Sequence, residues 1–145
     1  MTSPFDSWLF WALLSAVFAA MTAIFAKIGV ENVNSDFATF VRTIVILGAA
    51  AAMVTLTGSW QAPSSVSSRT WAFLVLSGLA TGLSWICYFR ALQIGQAAQV
   101  APIDKLSVVL VAVIAALFLG EKLSPVNWAG VALIAAGAVL VAVQI

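Results

Sequence analysis

Residues 8–27 read WLFWALLSAVFAAMTAIFAK, nineteen residues without a charge, closed by Lys27. Coiled as an α-helix at about 1.5 Å per residue, a run of this length extends ~30 Å, the thickness of a bilayer's hydrocarbon core. An apolar run of ten to fourteen residues suits a helix buried in a soluble core; one of about twenty suits a membrane span. Asp6 precedes the run and no basic segment does, so it reads as a retained first helix and not as a secretory signal.

The rest of the chain repeats the pattern. Further apolar segments run at about 36–57, 71–91, 99–119 and 125–143. Of the 145 residues 63% are hydrophobic and 8% charged, against about 25% charged in a soluble domain. The predicted fold is therefore all-α: a polytopic membrane protein with five transmembrane helices in a single domain over residues 1–145. The connections are short. ENVNS at 31–35, IGQAA at 94–98 and GEKLS at 120–124 force neighbouring helices to run antiparallel, and the longest, GSWQAPSSVSSR at 58–69, is still only a loop. Gly120 is placed to end the fourth span and Ser124 to cap the fifth, with Pro125 in its first turn. Trp8, Trp11, Trp60, Trp71 and Trp128 fall near span ends, where aromatic rings meet the lipid interface; Trp85 lies deeper.

Composition narrows function by exclusion. A net charge of +1 offers no basic field for nucleic acid. Histidine is absent and Cys87 stands alone, which removes the common zinc and disulfide arrangements and leaves that thiol as a small core residue. Rossmann, Walker and hydrolase motifs are missing, so no cofactor and no enzymatic activity is expected. The partners expected are the lipid bilayer and a small molecule.

Orientation is finely balanced. Arg69 and Lys122 flank the loops on the amino-terminal face; Lys27 and Arg90 lie at helix ends on the other, with Arg42 and Lys105 a turn or two inside it. The positive-inside rule either abstains or weakly places the N-terminus outside. Such a count permits insertion both ways, and equally a fixed orientation in a protein with few charges.

Four charges inside the spans need a reason: Arg42, Arg90, Asp104 and Lys105. Each would cost on the order of 2.5–3.5 kcal/mol at mid-bilayer, less where a long side chain can snorkel to the interface. They are either topological anchors or the lining of a polar vestibule. Asp104 and Lys105 are adjacent and so point in different directions along a helix; Arg42 and Arg90 are the candidate partners of Asp104. Pro102, in the stretch APIDKLSVV at 101–109, resists continuation of a helix, so a loosened first turn is expected before it, with an N-terminus open to anions. On the third span Ser77, Thr81, Ser84, Trp85 and Tyr88 recur at three- and four-residue spacings, a mildly polar stripe with two aromatic rings. Gly78 and Gly82 in the same span form a small-xxx-small pair suited to helix packing. Thr39 and Thr43 are weaker lining candidates, since a hydroxyl can bond its own helix. Gly130 and Gly137 in the fifth span suit packing or dimerisation.

The segment 91–141, ALQIGQAAQVAPIDKLSVVLVAVIAALFLGEKLSPVNWAGVALIAAGAVLV, resembles the C-terminal part of an EamA domain of the drug/metabolite transporter superfamily. The resemblance rests on FRAL at 89–92, the small polar turn, the Pro early in the fourth span and LGEKLSPVNWAGVALIAAG at 119–137, and it extends over about residues 8–143. It implies an EamA-like half-transporter bundle. Family members typically have ten spans in two fused, inverted five-span repeats, with substrate between the first four helices of each half. Glu121 and Lys122 then belong to a helix-terminal turn and not to a substrate site. One repeat needs a second, as an antiparallel homodimer or with a related half in the opposite orientation.

The function expected is secondary transport, by efflux or exchange, of a small polar or amphipathic metabolite across a prokaryotic inner membrane. The alternative is a non-transporting membrane subunit or scaffold. The residues expected to line the pathway are Arg42, Thr81, Ser84, Trp85, Tyr88, Arg90, Asp104 and Lys105. Asp104 is either a proton carrier or a permanently paired structural ion. The cationic cluster favours a substrate with a carboxylate or phosphate.

Overall fold

The fold is that of a computed structural model describing residues 7–143; Asp6 and the segment after Val143 lie outside the described residues. The helices are α1 (Trp8–Gly29), α2 (Ser35–Leu56), α3 (Ser68–Ile94), α4 (Ala97–Asp104), α5 (Ser107–Ile114) and α6 (Pro125–Ala142). A 3₁₀ turn occupies Pro63–Ser65 and a π-helical turn Ala115–Leu119. No strand occurs among the described residues. Five segments are long and apolar enough to cross a membrane, the fourth, Ala97–Phe118, being built from α4, α5 and the π turn. The protein is thus an all-helical integral membrane protein, as expected.

Local chemistry sets the boundaries. The Asn34 side chain accepts from the N–H groups of Asp36 and Phe37 and starts α2, while the Asp36 carboxylate lies in the positive first turn. Ser124 accepts from the Asn127 N–H, and Pro125 opens α6. The third span is longer than predicted because Ser67 caps it early: Thr70 N–H donates to its hydroxyl oxygen and Trp71 N–H to its carbonyl. Trp60 and Trp71 donate their indole N–H to Thr55 Oγ1 and the Pro63 carbonyl, which fixes both rings at loop level.

Pro102 corrects one expectation. It sits inside α4, and the turn that precedes it is regular helix; the break follows it, at Lys105–Leu106. Proline cannot donate to the carbonyl of residue 98 and its ring crowds that carbonyl. Downstream the helix tightens into bonds three residues back: Leu106 donates to Ile103, Val108 to Lys105 and Val109 to Leu106. The span then resumes as α5 and widens into the π turn, which Gly120 ends with φ +69°. The N–H groups of Gly120 and Glu121 both converge on the Ala115 carbonyl.

The chain forms two compact units. Among the described residues one contains 7–25 and 94–143, where α6 packs along α4 and α5. Its buried side chains are small: Ala23, Ala115 and Ala138. The less exposed positions of α6 include 131, 135, 138 and 142, a stripe at helical spacing. Gly130 and Gly137 have no neighbour within 4 Å of where a Cβ would stand, so neither brings helices together within the chain.

The other unit, residues 26–93, holds the last turn of α1, then α2 and α3. Ala26, Val30, Ser35, Thr39, Phe89 and Leu92 are buried in it, all toward one end of the helix pair. Leu92 and Val30 are the most enclosed, at 0% and 1% exposure. Away from that end, residues 43–53 of α2 and 68–81 of α3 are all exposed. Gly78 and Gly82 also meet nothing within 4 Å among the described residues, so the packing expected of them has no partner within this unit. Cys87 is exposed and not the core residue expected, because it lies on the side of α3 opposite Phe89 and Leu92.

Gly120→Ala forces a Cβ into the left-handed region, which costs about 1–2 kcal/mol. A lower thermal midpoint in detergent for this variant, with Gly130→Ala unchanged, is the expected result.

Candidate functional site

The end of α3 near Ile94 and the start of α2 are tied by polar contacts at a helix boundary. Lys27 Nζ donates to the Leu92 carbonyl at 2.7 Å, placing a cation at the negative end of α3. Gln93 Nε2 donates to the Val33 carbonyl at 3.0 Å. Arg90 Nη2 donates to both Asp36 carboxylate oxygens, at 3.1 and 3.0 Å. Both partners of this pair are about half exposed.

Arg42 lies seven residues into α2, roughly 10 Å along the helix from its start. Its guanidinium carbon stands 4.3 Å from the centroid of the Trp85 ring and 5.3 Å from that of Phe89. Trp85 and Phe89 are one turn apart on α3 and so present adjacent rings to one cation. The Tyr88 ring meets Phe89 edge-on, with centroids 6.5 Å apart. A charge in an apolar helix is here held on ring faces and not on a carboxylate.

The unit thus brings together Arg42, Trp85 and Tyr88 from the expected lining, with Arg90 one turn beyond. Thr81 and Ser84 are exposed on α3. Thr81 donates its hydroxyl to the Ser77 carbonyl one turn back, as Thr39 does to Ser35 and Thr43 to Thr39. These hydroxyls are engaged by their own helices.

Asp104 and Lys105 belong to the other unit. Within that unit Lys105 Nζ donates to Asp104 Oδ2 at 3.1 Å, so the adjacent pair, expected to point in different directions, meets; in its own unit Arg90 takes Asp36. Neighbours in sequence can meet here because the helix ends between them and the next, and Lys105 caps α4 outside regular helical register. Glu121 contributes its backbone N–H to the π-turn cap, which agrees with a helix-terminal role.

Sequence reasoning missed Phe89, Asp36, Lys27 and Gln93. Phe89 had a readable signal, an aromatic four residues after Trp85. The other three are long-range partners that local spacing does not reveal.

The Arg90–Asp36 pair is exposed enough that its contribution stays below about 1 kcal/mol. Asp36→Asn and Arg90→Gln should each lower the thermal midpoint slightly, and the double variant should be no worse than the poorer single one, the signature of direct coupling in a double-mutant cycle.

Residues 6–143 match the model of the EamA-like transporter family. A protein of Sinorhizobium sp., described as an uncharacterized transporter in the cobO 3' region, is 66% identical over 138 residues, covering 95% of this chain and 98% of that protein. No solved structure matches. A family match over nearly the whole chain, joined to five membrane-length helices and a charge set inside them, makes this protein a member of the EamA-like transporter family.

Proposed function

We propose that the chain is one half of a secondary transporter for a small polar or amphipathic metabolite, completed by a second half inserted in the opposite orientation. The second half is another copy of this chain or a related one, and the membrane is a prokaryotic inner membrane. Energy comes from a proton gradient or from the substrate's own gradient, because the sequence carries no nucleotide-binding motif.

The observation that carries this reading is the uneven packing of α2 and α3. Their ends near Phe89 and Thr39 are closed, while residues 43–53 and 68–81 present exposed faces that include Ser77, Gly78 and Thr81. Small and hydroxyl-bearing residues are the ones membrane helices use to approach one another. A second half laid against these faces supplies the missing wall and encloses Arg42, Trp85 and Tyr88. The near-balanced Lys and Arg distribution permits both orientations. The Sinorhizobium relative, itself described as a transporter, is covered over 98% of its length by a chain with a single set of five spans.

Orientation decides between the homodimer and its alternatives. Ser64→Cys and a cysteine appended after Ile145, each in a Cys87→Ser background, are to be labelled in intact cells with a membrane-impermeant thiol reagent. Partial labelling at both sites is the expected outcome. Labelling at one site only removes the inverted homodimer and leaves a partner half or a scaffold role.

A further inference from the structure

We propose that Arg42 is the anion-gripping group of the transport pathway and that the substrate is a small organic anion: a carboxylate held by the guanidinium, with a flat apolar body along Trp85. The inference rests on the transport reading above and names the chemistry of the same site.

Three cations near this site and in the other unit are already engaged. Arg90 holds Asp36, Lys105 holds Asp104, and Lys27 donates to a helix-end carbonyl. The ion pairs among the described residues therefore leave Arg42 without a carboxylate. Its contacts with Trp85 and Phe89 stabilise the charge but supply no lone pair for its five N–H donors. A guanidinium inside a span with open donors is costly to maintain, and arginine's planar fork matches a carboxylate better than any other common ligand.

An apolar face lies beside it. The Trp85 and Phe89 rings, one turn apart on α3, stand 4.3 and 5.3 Å from the Arg42 guanidinium carbon. Phe89 is buried, while Trp85 is only partly so. A ring or short chain attached to the carboxylate can lie along the free part of the Trp85 face.

The probe is benzoate, with benzamide as the neutral isostere and benzylamine as the cation. Binding is read by tryptophan fluorescence on the protein in phosphatidylcholine nanodiscs. Saturable binding of benzoate in preference to the other two is expected. Arg42→Gln should weaken it at least about tenfold, the loss of a charge-assisted hydrogen-bonded contact. Arg42→Lys keeps the charge without the fork and should fall between, which separates recognition from folding. Benzoate binding no better than benzamide, or unchanged in Arg42→Gln, overturns the proposal. So does loss of benzoate binding when a minor share of phosphatidylglycerol is added, which assigns the guanidinium to lipid headgroups. The two readings fail separately. Mixed-orientation labelling without Arg42-dependent benzoate binding leaves the inverted dimer and removes its anion. Arg42-dependent binding in a chain that inserts one way only keeps the site and removes the homodimer.

Discussion

Inside a bilayer the backbone has no water to bond with, so each span must satisfy its own N–H and C=O groups. Everything else in this protein depends on how that constraint is met and where it slackens. The described residues meet it with helices, and the caps at Asn34, Ser67 and Ser124 complete the ends where helical bonds run out. The one span that departs from regular geometry is the fourth. There Pro102 withholds a donor, the chain tightens at Lys105–Leu106, and the later π turn widens it again before Gly120.

The departures coincide with the polar residues. Asp104 and Lys105 sit at the tightened turn and neutralise each other there. A charge pair at a helix break is cheaper to keep than one in mid-helix, because the side chains are freed from helical register and the local backbone is already polar. At the other polar centre the solution differs. Arg90 reaches Asp36 near the ends of α3 and α2, while Arg42, deeper, is held by the faces of Trp85 and Phe89. The Arg90–Asp36 pair lies near helix ends, whereas Arg42 and the Asp104–Lys105 pair lie at similar depth in their spans; of these inner charges Arg42 alone is held by aromatic rings and not by a carboxylate.

Packing carries the same message. The unit that holds Arg42 is closed at one end by Val30, Phe89 and Leu92 and exposed along the rest of α2 and α3. Gly78 and Gly82 were legible as a packing motif, yet within their unit no described atom stands within 4 Å of a Cβ built on either.

Much of the fold was already in the order of residues. Five spans follow from hydrophobic length, the start of α6 from Ser124 and Pro125, and the end of the fourth span from Gly120. These are local matters, decided within a few residues of one another by transfer free energy and hydrogen-bond capping. The same holds for the list of charges that the membrane makes expensive. What the residues alone left open was the pairing. Asp104 meets its neighbour Lys105, a pair expected to point apart, and Arg90 found an aspartate 54 residues away. The break in the fourth span fell after Pro102 and not before it. Partner choice depends on the distance and angle between helices, which contacts far apart in sequence set together; no periodicity along one helix contains that information. Only the tertiary structure could put Trp85 and Phe89 over Arg42.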